Sequence, residues 1–267
     1  MKALDFEYDG YLLSDFGFMI CSFGDKGLET ISNGSKISFN TTPIFNGSKS
    51  LLTQVNYDEN IECNFAICKN PCVTASGDVE PITATEESQI MRWLNRKRFL
   101  KFRVLQDGYE DIYFNGSFNI DKYVLDGNVY GFELTFTSDR PYATYDSVMY
   151  NFTISTENDN YVINDISDEI GHIYAKMKIK CLSSGKLIIN NSIENRDTVI
   201  KNCTQNEIIS LDYPIIESTL ISHKLQNDFN FNFVRIANTY ENTLNKLTFS
   251  LPCEVQLSYN PIKKVGV

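Results

Sequence analysis

Histidine is scarce in this sequence, with 2 residues in 267, and tryptophan occurs once. Neither His172 nor His223 lies in a His-Glu-x-x-His run or beside a nucleophile motif, so the usual signatures of zinc and serine hydrolases are missing. Long uncharged apolar runs are missing too, and membrane insertion is not expected. The N-terminus, Met1-Lys2-Ala3-Leu4-Asp5, has no basic region leading into an apolar stretch, and Asp5, Glu7 and Asp9 intrude at once. It does not read as a signal peptide, so the expectation is a protein made and kept in a cytoplasm until it is assembled. Positive charge is in deficit, 24 Lys and Arg against 34 Asp and Glu, for a net charge of -10. Such a surface repels phosphate, and no stable nucleic-acid binding is expected.

Cysteine numbers seven, an odd count spread over the chain, which reads as reduced thiols rather than a disulfide framework. Cys63, Cys68 and Cys72 form one metal-like cluster, but a structural zinc site wants four ligands in close pairs, and no histidine stands near. Asn46-Gly47-Ser48-Lys49-Ser50 echoes a phosphate loop yet lacks the Gly-Lys-Ser order and the earlier glycine, so it reads as a turn. Asn-x-Ser/Thr triplets such as Asn33 to Ser35 and Asn151 to Thr153 follow from an Asn-rich composition. Carboxylates are plentiful, but sequence cannot pick out a facing pair suited to glycoside hydrolysis. No catalytic, cofactor-binding or metal-ligating residue is assigned, and the expectation is no enzyme and no cofactor.

What the chain has is aromatic and β-branched residues, 18 Phe and 15 Tyr among them, arranged with a period of two. Gln106-Asp107-Gly108, Asn115-Gly116 and Asp126-Gly127-Asn128 read as turns separating strands at Phe99 to Leu105, Tyr109 to Phe114, Ser117 to Leu125 and Val129 to Thr137. In the last of these, Tyr130, Phe132, Leu134 and Phe136 share one face. One helix interrupts the pattern. Thr83-Ala84-Thr85-Glu86 has capping-box spacing, and Ile90, Trp93 and Leu94 then fall on one face. Arg92, Arg96, Lys97 and Arg98 sit at the helix end that favours positive charge, as a solvated cluster. Trp93 reads as a core anchor.

A second unit begins after Pro141-Tyr142. Ser155 to Glu169 is polar and reads as linker or surface loop. Ile173 to Cys181, Phe229 to Phe233 and Cys253 to Tyr259 alternate as strands, and Asn260 to Val267 reads as an exposed tail. The fold expected is all-β with one helix, in two domains spanning residues 1–145 and 146–267, the second a β-sandwich.

With these residues in place, the chain resembles the distal tail (Dit) proteins of long-tailed bacteriophages. Phe6-Glu7-Tyr8-Asp9-Gly10 with Ser14-Asp15-Phe16-Gly17 is similar to the family's first strand and turn, and Ile90-x-x-Trp93-Leu94 to its helix. Tyr130 to Phe136 followed by Pro141-Tyr142-Ala143 resembles the exit of its first domain. Gly185 to Asn190 and Cys253 to Pro261 resemble its terminal sandwich. The resemblance implies an N-terminal tail-tube-like split β-barrel that forms a hexameric ring, followed by a galectin-like β-sandwich. It implies a structural role at the tail tip or baseplate of a virion, with tail-tube protein, tail hub and receptor-binding protein as partners. Two departures stand out: Thr239-Tyr240-Glu241-Asn242 has no glycine where the family turn has one, and the second half has no tryptophan to stack on a sugar. The rival reading is a carbohydrate-binding or carbohydrate-cleaving tail component acting on the host wall.

Overall fold

A computed structural model describes residues 5–22, 37–44, 47, 49–57, 60–74, 77, 80–194 and 196–265. The packing divides the chain into two units, Met1–Thr144 with Lys264–Val267, and Tyr145–Lys263. The first contains β1 (Phe6–Tyr8), β2 (Tyr11–Leu12), β3 (Phe18–Cys21), β4 (Ile37–Pro43), β5 (Ser50–Tyr57), β6 (Glu62–Lys69), α1 (Ala84–Leu94), β7 (Leu100–Val104), β8 (Ile112–Leu125), β9 (Asn128–Ser138) and β10 (Ala143–Tyr145). A 3-10 turn, Leu13–Phe16, follows β2.

The main sheet of this unit runs β2-β1-β7-β8-β9-β6-β3, so it is open between two edges and the barrel expected here is split, not closed. Its core is a mass of rings. Phe102 and Phe136 lie 4.4 Å apart, and Phe6 stacks on Trp93 at 5.6 Å and 6°. Helix α1 begins as its sequence requires. Thr83 Oγ1 accepts from the Glu86 backbone N–H, and the Thr83 backbone N–H donates to Glu86 Oε2 at 2.7 Å. Ile90, Trp93 and Leu94 are its buried residues.

Asn115-Gly116 does not turn the chain. Both residues lie inside β8, which runs unbroken for 14 residues, with Gly116 paired to Leu100 on one side and Ser138 on the other. The glycine is there for another reason: a Cβ on it would stand 2.3 Å from Cζ of Phe136 and 2.5 Å from the Thr137 carbonyl oxygen. Its missing side chain lets the Phe136 ring lie against the strand. Gly116→Ala should therefore cost about 2–3 kcal/mol through overpacking, measured as a fall in denaturation midpoint with an unchanged m-value.

The second unit contains β11 (Val148–Ile154), β12 (Asp159–Asn164), β13 (Gly171–Tyr174), β14 (Lys176–Cys181), β15 (Gly185–Asn191), β16 (Asp197–Cys203), β17 (Ile208–Asp212), β18 (Ile215–Ser218), α2 (Leu225–Asp228), β19 (Arg235–Asn238), β20 (Leu244–Phe249), β21 (Cys253–Tyr259) and β22 (Ile262–Lys263). A five-stranded sheet, β11-β21-β14-β17-β18, and a four-stranded sheet, β12-β20-β15-β16, bury their facing side chains as one core that includes Ile179, Leu187, Ile200, Leu247, Phe249 and Leu257. This is a β-sandwich, and the protein as a whole is all-β with short helices.

Four local expectations are corrected. The polar stretch from Ser155 to Glu169 contains strand β12, because Tyr161 and Ile163 turn inward while Asn160, Val162 and Asn164 face water. The alternation from Ile173 to Cys181 is two strands, broken at buried Ala175, whose N–H donates to the Val234 carbonyl. Phe229 to Phe233 is not a strand. The chain leaves α2, the second helix, and Phe231 sits at φ 56 with its ring exposed, while Phe229 and Phe233 drop into the core. The closing segment is also held. Tyr145 N–H donates to the Pro261 carbonyl at 2.9 Å, and Lys263 pairs with Asp168 at 2.9 Å. Residues 266–267 lie outside the described residues.

Candidate functional site

The clearest unpartnered surface is a two-stranded arm. Among the described residues β4 and β5 pair only with each other, from Ile37 opposite Tyr57 to Pro43 opposite Ser50, with a register shift between Asn40 and Thr41. Phe39 stands directly opposite Val55, so both side chains project from one face of the ribbon. Phe39 is 64% exposed and Leu51 58%, and Ile37, Leu52 and Val55 are exposed with them. A lone two-stranded ribbon is marginally stable in water. One that carries five bulky apolar side chains presents the kind of surface that another chain covers. The sequence signal was available in the alternation of Ile37 and Phe39 and in Leu51-Leu52, on either side of the stretch Asn46 to Ser50 that reads as a turn, of which Ser50 belongs to β5. Asn46 and Ser48 themselves lie outside the described residues, as does the triplet at Asn33 to Ser35.

A second projection lies at the far end of β8 and β9. Asp126 and Gly127, both at positive φ, make a two-residue hairpin turn. Burial along β8 gives out after Phe118, leaving Val124 and Leu125 in solvent.

The residues weighed for chemistry behave differently. Trp93 is buried, its indole N–H donating to the Tyr8 carbonyl at 2.9 Å, with Phe16 stacked 4.4 Å away. Arg96 of the basic cluster donates to the Trp93 carbonyl at 3.1 Å and reaches Asp9 at 3.9 Å. Cys63 and Cys68 stand five apart on β6 and so point to opposite faces, while Cys72 is exposed in the following turn. The partner that the structure gives Cys68 is Cys21, through a thiol hydrogen bond across β3 and β6. Among the described residues no group of three His, Cys, Asp or Glu side chains is placed to hold a metal ion.

His172 lies on β13 with much of its surface in solvent. Partial desolvation of the ring, with Arg235 beside it, lowers its pKa. His223 is not the isolated residue its sequence context implies. Its Nδ1 lies 2.6 Å from Glu207 Oε1, and its Nε2 lies 3.4 Å from Asp228. Glu207 also accepts from the Ser218 hydroxyl at 2.5 Å and the Thr204 backbone N–H at 2.8 Å. Burial opposes both charges, but the bond to Glu207 raises the imidazole pKa, and bonds from Ser218, His223 and Thr204 together lower that of the carboxyl. Serine and histidine both bond to the carboxylate and not to each other, and the pair is sealed from solvent at 4% and 0% exposure. The arrangement is a pin for the chain between β17 and α2, not a nucleophilic triad. Spacings of 11 and 16 residues through a loop left no motif for sequence reading to find.

The comparisons with known proteins fit this geometry. Residues 1–140 match a family described as a phage tail protein N-terminal domain, and residues 142–259 match one described as a phage tail C-terminal domain. Among solved structures, the crystal structure of SPP1 Dit (gp 19.1) superposes with a TM-score of 0.65 at 10% identity, over 97% of this chain and 99% of that one. That protein is described as a paradigm of the hub adsorption apparatus in phages that infect Gram-positive bacteria. No curated protein matches the chain.

Proposed function

The chain belongs to a phage tail protein family, and from that premise we propose that it is the ring subunit at the tip of the tail. It is a structural component of the tail. Residues 1–145 form the ring, a hexamer that joins the tail tube to the hub, and residues 146–267 form a galectin-like sandwich that serves as a docking place for receptor-binding parts.

The observation that carries this reading is the β4–β5 arm. A closed ring needs a head-to-tail contact in which one patch of a subunit meets a different patch of its neighbour. An apolar ribbon with which no other described strand pairs supplies one such patch. Covering it would also remove two strand edges that invite non-specific pairing. The acidic net charge suits a conduit that must not retain DNA.

Sedimentation velocity of the full chain over a concentration series tests the ring. The wild type should move into a closed oligomer six subunits in size. The double variant Phe39→Ser, Leu51→Asp should remain monomeric, with a thermal midpoint within about 2 °C of the parent because neither side chain is buried. An unchanged mass distribution in the variant would remove the arm from the interface and the reading with it.

A further inference from the structure

The outward face of the five-stranded sheet carries side chains in rows that cross the strands. β11, β21, β14 and β17 lie side by side. Their register sets Asn151 opposite Gln256, Gln256 opposite Lys178, and Lys178 opposite Ser210. The row beyond it brings together Thr153, Glu254, Lys180 and Ile208. Lysine occupies three alternate positions of β14, all on this face, and their charges are not treated alike. Lys176 is held by Asp212 at 2.8 Å and Lys180 by Glu254 at 3.1 Å. Lys178, between them, has no carboxylate partner among the described residues. An open groove of 480 Å³ lies over this part of the sheet, bordered by Asn151, Thr153, Lys178, Lys180, Glu254 and Gln256.

The chemistry of the row is specific. One uncompensated ammonium stands in line with two amides and a hydroxyl, on a chain whose net charge is -10. Amides and hydroxyls both donate and accept, which matches the double character of a sugar hydroxyl. Strands lie about 4.8 Å apart, so the four side chains span roughly 14 Å, enough for a short oligosaccharide laid across the strands. The row has no exposed ring on which a nucleobase could stack. The flanking carboxylates Asp212 and Glu254 work against a densely charged polyanion, and only a ligand with widely spaced negative charge fits between them.

We infer that this groove binds an acidic sugar, a hydroxylated ring bearing one carboxylate or phosphate group. Lys178 takes the anion, and Asn151 and Gln256, which border the groove with it, bond the hydroxyls. The inference does not rest on the ring. Binding at one groove is weak, because an exposed ion pair contributes little, but six copies on one particle would multiply it.

The test is calorimetric titration of the full chain with aldotetraouronic acid, a tetrasaccharide carrying a single carboxylate, and glucose 6-phosphate, with maltotetraose as the neutral control and sodium phosphate as the bare anion. At least one acidic sugar should bind about fivefold more tightly than maltotetraose, and its affinity should fall as salt is raised. Which one binds identifies carboxylate or phosphate as the group recognised. Lys178→Gln should erase that preference, whereas Lys176→Gln, which removes an already neutralised charge, should leave it. Three results would overturn the assignment: no saturable sugar binding, phosphate alone binding as well as the acidic sugars, or Lys178→Gln binding like the wild type. Both variants lie on an exposed sheet face and should keep the parent thermal midpoint, so a loss of binding reports the groove and not the fold.

Discussion

Trp93→Ala is expected to destabilise the first unit by about 3–5 kcal/mol and to lower its thermal midpoint by roughly 10 °C. The indole is one of the hubs of the aromatic core, stacked on Phe6 and Phe16 and edge-on to Tyr8. It also closes a polar account, since its N–H is the donor to the Tyr8 carbonyl on β1. Truncation would leave a cavity between α1 and the sheet and an unbonded carbonyl beneath it. Trp93→Phe separates the two effects. It keeps most of the ring volume and loses the hydrogen bond, so it should cost about 1–2 kcal/mol. Calorimetric scans of the three proteins measure this, and a Trp93→Ala midpoint within 3 °C of the wild type, against the roughly 10 °C expected, would show that the core is not built on this residue.

Glu207→Gln is the second large effect, about 3–5 kcal/mol, because it removes one charge of a buried pair and leaves the other behind. The carboxylate collects donors from Thr204, Ser218 and His223, and an amide cannot accept all three. The effect depends on pH in a direction set by both partners. Glu207 has a depressed pKa, so its contribution is present above the ordinary carboxylate range and fades as pH falls through the lowered value. His223 has a raised pKa, so its contribution is full below the ordinary imidazole value and fades as pH rises through the raised one. The gap between wild type and Glu207→Gln should therefore be widest at about pH 5–6.5 and narrow on either side. Urea unfolding at a series of pH values checks it. A gap that stays constant with pH would mean that the residue acts through shape alone.

Much of this molecule could be read from local patterns, and particular residues explain why. The capping box at Thr83 and Glu86 needs only a three-residue spacing, and it forms as expected. The alternation from Val129 to Thr137 became β9, and Cys253 to Tyr259 became β21 with the same limits. Period two is enough for those runs, because one face meets a core and the other meets water. Where the same signals failed, a distant residue had the deciding vote. Asn115-Gly116 has turn chemistry, but the ring of Phe136 needs a gap in β8, so the glycine serves packing. Phe229, Phe231 and Phe233 alternate like a strand, yet a short helix and a left-handed Phe231 send two rings inward and leave the middle one in solvent.

The sequence by itself determined the strand-rich class, the single well-capped helix, the excess of negative charge and the order of segments that resembles the distal tail proteins. Each of these follows from composition or from neighbours within a few residues along the chain. Only the tertiary structure decided which surfaces are left over for function. The β4–β5 arm is a candidate interface because among the described residues no other strand pairs with it, and that is a fact about pairing partners. His223 meets Glu207 because a loop returns across 16 residues. Lys178 stands in one row with Asn151, Gln256 and Ser210 because three strand registers align across more than a hundred positions. Register depends on the sum of long-range contacts, and a slip of one residue would turn every one of those side chains into the core.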